Sequence, residues 1–269
     1  MAPDTLEDAM MFATAMKRRA FSLLQGLVVP VLLVGVWELL SRQSATYAYV
    51  FVSVEGIWES SLELLGSGEL ALNFLATLRC ALQSILIGSL LGIGVGTLMG
   101  ISRIAEILIG PLYHTVRQVP LLGWIPLIGL WFGTGEFAKN LMVVTAVFYP
   151  MVLHTYEGIR NVEKHYMEVG QVFRFNRWQR FVHILLPNAW PSIFTGFLNA
   201  LAFAWVATIG SELLFATGPG LGGLMLIAQA ASKMEVVIVC IVTIGLTGYL
   251  MNHGIARIRK WLLKWRYAH

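Results

Sequence analysis

Long apolar runs separated by short polar segments account for most of the chain. A helix needs roughly 20 mostly apolar residues to cross the hydrocarbon layer, so these runs predict about six membrane spans. We place the spans at about 21–41, 73–101, 104–133, 138–158, 188–215 and 235–257. A further apolar stretch, 221–232, is too short to cross and is predicted to be a re-entrant or surface segment. The pattern therefore predicts an all-α, polytopic helical bundle in a membrane.

Residues spaced four apart predict which helix faces meet other helices. In the second predicted span, Gly88, Gly92, Gly96 and Gly100 repeat at this spacing, which lets a neighbouring helix approach closely. In the polar segment before it, at about 55–65, glutamates alternate with apolar residues at helical spacing. That segment is predicted to be an amphipathic surface helix.

The third predicted span is broken by three prolines, which are Pro111, Pro120 and Pro126. Proline removes a hydrogen bond from a helix, and the carbonyl oxygens that it frees must face protein or a water-filled path. A broken helix at this depth therefore indicates a functional segment.

The composition agrees with a membrane protein. Of the residues, 57% are hydrophobic and 13% are charged, whereas soluble domains have about 45–50% and about 25%. These figures exclude a disordered chain and argue against a water-soluble domain. They also argue against a nucleic-acid binder, despite the net charge of +4. Neither the two cysteines nor the six histidines show the spacing of a metal site, so no metal is predicted.

Basic residues near the span ends predict the orientation, because short loops rich in Lys and Arg stay in the cytoplasm. Six spans put the N-terminus, the turn at 102–103, the loop 159–186 and the C-terminal tail on one side. All but five of the 19 Lys and Arg residues lie on that side. The exceptions are Arg42, Lys139 and Lys233 on the other side, and Arg79 and Arg117 within the membrane. We expect both termini in the cytoplasm.

The loop 159–186 is the largest polar segment between spans, and it mixes basic side chains with aromatic ones. A solvated connector whose basic residues only set the orientation would explain the charges. However, Phe173, Phe175, Trp178 and Phe181 are costly to leave in water, and exposed apolar clusters usually mark a partner site. The composition of this loop therefore favours a docking role.

Residues 166–187 resemble the cytoplasmic coupling motif of ABC-importer permeases. In that motif a Glu-Ala-Ala segment is followed by a glycine and then by a leucine-proline pair, and Glu168 and Pro187 have the expected separation. Three further segments are similar to the nitrate, sulfonate, bicarbonate and taurine branch of these permeases: 120–126, 131–136, and Ser211-Glu212 followed by 220–222. The resemblance covers about residues 25–265.

The resemblance implies the MetI-like fold of a type I importer permease in a bacterial inner membrane. The predicted spans divide the chain into a cytoplasmic segment 1–20, a permease domain 21–258 with the coupling loop 159–186, and a basic cytoplasmic tail 259–269. The implied partners are two copies of an ABC ATPase, an extracytoplasmic substrate-binding protein, a second copy of this chain and membrane lipid. The chain itself would hold no cofactor. ATP and Mg²⁺ would bind to the ATPase, since the sequence has no GxxxxGK[ST] phosphate-binding loop.

The resemblance also gives roles to residues of the loop. Ten of them would couple to the ATPase: Tyr166, Glu168, Val169, Gly170, Phe173, Arg174, Phe175, Asn176, Arg177 and Trp178. The aromatic side chains would anchor the loop in the partner, and Pro187 would reset the helix direction after it. Arg174 stands where the family pattern has glycine. Glycine permits a positive φ that arginine resists, so we expect a rebuilt turn or altered coupling.

Charged groups at membrane depth are expensive and tend to be functional or paired. The candidates for the translocation path are Arg117, Pro120, Trp124, Pro126 and Glu212. On the broken third span, Arg117 would lower the barrier for an anion. Ion pairs that hold helices together are the alternative for the intramembrane charges, which are Arg79, Arg117, Glu136 and Glu212. We assign His114 and His154 to helix packing or to interfaces.

Three other functional classes stay open with weaker support. An ion-coupled secondary transporter would show inverted repeats and acidic residues at the midplane, and we find no repeat. A structural membrane anchor would need neither a proline-broken span nor a docking loop. A membrane enzyme would need a nucleophile with a base or a metal site. The sequence favours the channel-forming subunit of an ATP-driven importer for a small anionic solute, and it does not select one substrate.

Overall fold

The computed structural model describes residues 28–43, 51–215 and 218–262, with side chains as far as Ile258. Every regular element in these ranges is helical, as the apolar pattern predicts. The chain forms two compact units, which divide between Leu62 and Glu63. The predicted N-terminal segment 1–20 lies outside the described residues, and so does the predicted tail beyond Leu262.

The first unit contains helix α1 (Val28–Ser41) and the beginning of helix α2 (Val54–Gly66). Trp37 Nε1 donates a hydrogen bond to the carbonyl oxygen of Val52 at 2.8 Å. The backbone N–H of Val54 donates to Glu38 Oε2 at 3.0 Å, and these two bonds attach the start of α2 to α1. The helix predicted at 55–65 is confirmed as α2. The first predicted span is described only from Val28, where it is helical.

The second unit contains the remaining helices. In chain order they are α3 (Glu69–Ile101), α4 (Arg103–Val116), a 3₁₀ turn (Leu121–Trp124), α5 (Ile125–Phe132), α6 (Glu136–Arg160), α7 (Lys164–Val172), α8 (Arg177–Arg180), a π-helical turn (Phe181–Leu185), α9 (Leu186–Phe215), α10 (Leu221–Ala230) and α11 (Met234–Leu262). In the described part of the chain, four helical segments are long and apolar enough to cross a membrane: Glu69–Ile101, Glu136–Arg160, Arg177–Phe215 and Met234–Ile258. They correspond to the second, fourth, fifth and sixth predicted spans. The short helix α10 corresponds to the predicted segment 221–232.

The third predicted span, 104–133, consists of two helical pieces. Helix α4 ends at Val116, and the chain becomes helical again only at the 3₁₀ turn that leads into α5. The break therefore falls at Pro120. The expectation that Pro111 and Pro126 also break the span is wrong. Pro111 lies inside α4, and Pro126 lies in the first turn of α5, where a missing N–H is tolerated.

The fifth span begins earlier than the predicted range 188–215. One continuous helical segment runs from Arg177 to Phe215. It passes Pro187 directly after the π-helical turn, in which the N–H of Leu186 donates to the carbonyl of Phe181, five residues back. This wider turn accommodates the proline without ending the helix. The helix therefore continues through Pro187, and the expectation that this proline resets the helix direction stays a prediction.

Helices α3, α6 and α9 form the core of the second unit. One buried apolar cluster draws residues from all three, among them Ile85, Val147 and Ile193. The glycine repeat of α3 faces α6 as predicted. A Cβ atom added at Gly92 would lie 2.5 Å from Met151 Cβ, well inside van der Waals contact. Only glycine therefore allows the backbones of α3 and α6 to approach so closely.

The variant Gly92→Ala is expected to destabilise the purified chain by about 1–3 kcal/mol, because the added methyl group overpacks the α3–α6 contact. Gly94→Ala, on the same helix, is the matched control, since a Cβ there would meet nothing within 4 Å. Unfolding by heat or by denaturing detergent in micelles measures the difference. Equal stability of the two variants would contradict the packing assigned to Gly92.

Candidate functional site

The loop predicted to dock a partner forms a helix–turn–helix, which we name the elbow (residues 164–185). It contains α7, α8 and the π-helical turn. All ten residues predicted to couple to an ATPase fall within it. Tyr166, Glu168, Val169 and Gly170 lie on α7, Phe173, Arg174, Phe175 and Asn176 form the turn, and Arg177 and Trp178 begin α8.

Two backbone hydrogen bonds close the turn between α7 and α8. The N–H of Phe175 donates to the carbonyl of Gly170 at 2.9 Å, and the N–H of Arg174 donates to the carbonyl of Gln171 at 2.9 Å. This is the Schellman arrangement, which ends a helix with a left-handed residue. Arg174 occupies the left-handed position with a φ of 52°. The arginine has kept a glycine-type turn, so the expectation of a rebuilt turn is wrong.

Polar contacts fix α8 on the other side of the turn. Asn176 Oδ1 accepts from the N–H of Gln179 at 2.8 Å, and Gln179 Oε1 accepts from the N–H of Asn176 at 2.9 Å. This reciprocal pair is a capping box. Arg180 Nε also donates to the carbonyl of Phe175 at 3.0 Å. Sequence analysis missed the capping role of Asn176, which the Asn-x-x-Gln spacing could have revealed.

Gly170 is buried where α7 lies against the π-helical turn of the elbow. A Cβ atom added at Gly170 would lie 2.5 Å from Ile184 Cδ1 in the π-helical turn. A larger residue at this position would have to displace the end of the Ile184 side chain. Gly170 therefore shapes the elbow from inside, whereas the other predicted docking residues are exposed or half-buried.

Large apolar side chains of the elbow remain exposed. Phe173 is 67% exposed and Trp178 is 70% exposed. A cavity of 320 Å³, which we name the elbow cavity, is lined by Tyr166, Val169, Phe173, Phe175, His183, Ile184 and Asn188. Glu168 and Arg177 are exposed on the same elbow. Exposed aromatic side chains with charged neighbours are typical of a protein-binding surface.

A second cavity lies beside the break in the third predicted span, and we name it the Arg117 cavity. It has a volume of 430 Å³, and its lining includes Arg117, Pro120, His154 and Asn199. The guanidinium carbon of Arg117 lies 5.7 Å from the ring centroid of Tyr113, which is a cation–π contact. The buried Nε of Arg117 makes no hydrogen bond within the described part of the chain. The cavity thus contains a positive charge held by an aromatic ring.

Two other predicted path residues lie outside the lining of the Arg117 cavity. Trp124 packs against a separate buried cluster that contains Ile128 and Met142. Pro126 lies in the first turn of α5. The structure therefore brings Arg117 and Pro120 together and places Trp124 and Pro126 beyond them along the chain.

Glu212 is buried near the end of α9, with 2% of its surface exposed. The hydroxyl of Thr77 donates to its carboxylate at 2.9 Å, and the N–H of Gly222 donates at 2.9 Å. Thr77 also accepts from the N–H of Leu221 at 2.9 Å. Glu212 therefore ties the start of α10 to α3, and it lies outside the lining of the Arg117 cavity.

The arginines and carboxylates predicted to lie at membrane depth are not paired in the way that the alternative prediction suggests. No ion pair in the described ranges joins Arg79 or Arg117 to Glu136 or Glu212. Glu136 instead lies 4.0 Å from the ammonium group of Lys139. Arg79, Glu136 and Lys139 line a separate cavity of 130 Å³.

His154 lies where α6 and α9 approach each other. A Cβ atom added at Gly196 would lie 2.6 Å from His154 Cβ, and the hydroxyl of Ser192 donates to the carbonyl of His154 at 2.8 Å. The predicted packing role of His154 is therefore confirmed. Its imidazole Nε2 also lies 3.0 Å from Asn199 Nδ2. The sequence did not predict this pair, because no local sequence pattern indicates which residues of two different helices lie side by side.

Most of the second unit matches a known family. Residues 84–265, which are more than half of the chain, match the family described as binding-protein-dependent transport system inner membrane component. The chain belongs to this family. The matched range includes the whole elbow and every helix that lines the Arg117 cavity.

The chain is similar over most of its length to two permease proteins from bacteria. The chain is 32% identical over 241 residues to the aliphatic sulfonates transport permease protein SsuC of Escherichia coli. This alignment covers 90% of this chain and 91% of that protein. The chain is 28% identical over 225 residues to the nitrate import permease protein NrtB of Leptolyngbya laminosa. This alignment covers 82% of this chain and 80% of that protein.

A solved structure supports the fold. The inward-facing MetNI methionine ABC transporter matches 68% of this chain and 91% of its own chain, with a TM-score of 0.58 at 18% identity. At 18% identity this structural match shows the fold alone. The match confirms the predicted MetI-like architecture of ABC permeases. With four long apolar helices in its described residues, this family member is a multi-pass transport component of the inner membrane.

The variant Arg174→Gly is expected to stabilise the elbow by about 1 kcal/mol, because the left-handed conformation is costly for any residue with a Cβ atom. Amide hydrogen exchange over residues 164–185 measures the effect. Arg177→Gly is the control, since it removes the same side chain from a helical position and should weaken the elbow. Faster exchange in Arg174→Gly than in the parent would contradict the left-handed turn.

Proposed function

We propose that this chain is the channel-forming subunit of an ATP-driven, binding-protein-dependent importer for a small anion of the sulfonate or nitrate type. A separate ABC ATPase binds the elbow, and ATP hydrolysis on that subunit drives alternating access between the helices. The observation that carries this proposal is the exposed aromatic elbow, held by a closed turn and joined directly to the fifth span.

The elbow is suited to transmit a displacement because hydrogen bonds close its turn and because it is continuous with a long helix. The Schellman turn and the capping box set the angle between α7 and α8. From Arg177 the helix runs without interruption to Phe215. A partner that moves Phe173 or Trp178 would therefore move the part of α9 that carries Asn199 in the Arg117 cavity.

Two observations support an anionic substrate. SsuC and NrtB are named for sulfonates and nitrate, which are oxyanions. The Arg117 cavity presents an arginine, and a cation at this depth lowers the energy of an anion in a medium of low dielectric constant. In the proposed path, Arg117 and Pro120 line the cavity, Trp124 and Pro126 shape its approach from the 3₁₀ turn and α5, and Glu212 supports it by holding α10.

The proposed assembly contains two copies of this chain, two copies of the ATPase and one extracytoplasmic substrate-binding protein within a lipid bilayer. ATP and Mg²⁺ bind to the ATPase, and this chain binds no cofactor of its own. The termini, including segment 1–20 and tail 259–269, and the elbow lie in the cytoplasm of a bacterial cell. The distribution of basic residues supports this orientation.

The variant Phe173→Asp is expected to lower co-purification of the ATPase at least about tenfold, because an unpaired charge would replace an aromatic anchor at the centre of the interface. ATP hydrolysis retained by the tagged permease, purified from membranes, measures the association. Gln171→Asp is the matched control, since it adds the same charge to an exposed position of α7 outside the elbow cavity.

Equal retention of ATPase by Phe173→Asp and Gln171→Asp would contradict the docking role. Solute uptake that persists after the ATPase is lost would instead identify an ion-coupled transporter. A chain that assembles but takes up no solute with any partner would fit a structural anchor.

The variant Arg117→Ala is expected to reduce uptake at least about tenfold while ATPase association stays unchanged, because the path loses its positive charge. Uptake is measured with radiolabelled nitrate and ethanesulfonate in proteoliposomes that contain the whole complex. Arg79→Ala is the control, since Arg79 is an intramembrane arginine outside the Arg117 cavity. Normal uptake by Arg117→Ala at normal protein levels would remove Arg117 from the path.

A further inference from the structure

His154 lines two cavities of opposite charge. One is the Arg117 cavity. The other has a volume of 550 Å³, and we name it the glutamate cavity because Glu157 and Glu163 line it, together with Thr195 and Tyr166. The imidazole of His154 therefore lies at the boundary between the two spaces. Tyr166 also lines the elbow cavity, so the glutamate cavity extends to the elbow.

The Arg117 cavity has the composition of an anion site. The described residues of its lining include one arginine, the amides of Gln118 and Asn199, and no carboxylate. A guanidinium group offers several N–H donors in a planar fork that suits the oxygens of an oxyanion. The Arg117 guanidinium makes no ion pair within the described ranges, so its charge acts on the cavity.

The glutamate cavity has the opposite character. Its lining carries two carboxylates and neither lysine nor arginine among the described residues. Glu163 lies 3.0 Å from His165 Nδ1, and the Glu157 carboxylate repels an anion that enters this space. The two neighbouring spaces therefore differ in the sign of the potential that a small ion meets.

His154 and Asn199 form the boundary because their helices are held together at that level. The contact between His154 and Gly196 and the hydrogen bond from Ser192 fix the His154 backbone against α9. The side chain of Asn199, one turn further along α9 than Thr195, lies 3.0 Å from the imidazole. Asn199 faces the Arg117 cavity, whereas Thr195 faces the glutamate cavity.

We propose that the Arg117 cavity is a binding subsite for a single small oxyanion, such as a sulfonate or nitrate. Arg117 supplies the charge, and the His154–Asn199 pair closes the subsite towards the glutamate cavity, into which the anion is released. This inference rests on the proposed transport function and names the ligand class and the exit of the path.

Charged thiol reagents test the sign of the potential in each space without a known substrate. The variants Phe203→Cys and Thr195→Cys each place one thiol on α9, the first in the Arg117 cavity and the second in the glutamate cavity. The anionic probe is 2-sulfonatoethyl methanethiosulfonate, and the cationic probe is 2-(trimethylammonium)ethyl methanethiosulfonate. The parent chain, in which Cys80 and Cys240 are buried, is the blank.

The measured quantity is the ratio of anionic to cationic modification rates in membranes containing the complex, divided by the same ratio for free 2-mercaptoethanol. We expect this ratio to exceed one at Phe203→Cys and to fall below one at Thr195→Cys. Adding Arg117→Gln should lower the ratio at Phe203→Cys about tenfold, because the cavity then loses the positive charge of Arg117. It should leave the ratio at Thr195→Cys unchanged, and Arg117→Lys should preserve both.

Equal ratios at the two cysteines of the parent complex would overturn the inference, and so would a ratio at Phe203→Cys that Arg117→Gln does not lower. If Arg117→Gln fails to assemble, the ratios at Phe203→Cys and Thr195→Cys are compared in chains that carry Arg117 or Arg117→Lys. A higher ratio at Phe203→Cys in both chains supports the inference, and equal ratios overturn it. Co-purified ATPase is measured on the same samples. Equal ratios with the ATPase retained refute the subsite alone, whereas loss of the ATPase from the parent complex refutes the proposed function.

Discussion

The close approach of the α3, α6 and α9 backbones is the constraint on which the second unit depends. Small residues stand at the crossings, and even one added methyl group at Gly92, Gly158 or Gly196 would meet a neighbouring helix at less than 3 Å. In a membrane such packing replaces the hydrophobic drive that water supplies to soluble folds. The crossing of α6 with α9 also places His154 between two cavities and sets the position from which the elbow extends.

The glycine contacts and the hydrogen bonds of polar side chains stabilise different parts of the second unit. The glycine contacts fix how closely the long helices lie, whereas Glu212 and Thr77 attach a short helix, α10, to α3 through hydrogen bonds to backbone N–H groups. At the elbow, the left-handed Arg174 and the Asn176 cap fix a turn within a few residues. In the proposed coupling, a displacement at the elbow would pass first through this hydrogen-bonded turn and then to the closely packed pair of α6 and α9.

Much of the fold could be predicted because hydrophobicity and glycine spacing are local signals. Four of the predicted spans, the amphipathic helix α2 and the glycine face of α3 are present in the structure. The exact breaks could not be predicted, since a proline inside α4 and a proline after a π-helical turn are both tolerated by their surroundings. Whether proline ends a helix depends on contacts that a single sequence does not contain.

The candidate functional site could be predicted only in part from the sequence. Aromatic residues and the family resemblance locate the elbow, and its ten predicted residues do lie together. The resemblance did not show that Arg174 keeps a glycine-type turn or that Gly170 is an internal contact, because both depend on backbone geometry. The boundary at His154 and the separate position of Glu212 depend on pairs of residues on different helices, for which the chain carries no local signal.

The central claim is that the elbow contacts an ATP-hydrolysing subunit. Photo-cross-linking from benzoylphenylalanine placed at Trp178, which is 70% exposed, tests this contact in intact membranes. Leu130, 78% exposed on α5, is the comparison site. The account predicts that the Trp178 site captures a nucleotide-binding polypeptide and that the Leu130 site does not. Capture of only lipid or of an extracytoplasmic binding protein at Trp178 would contradict the account.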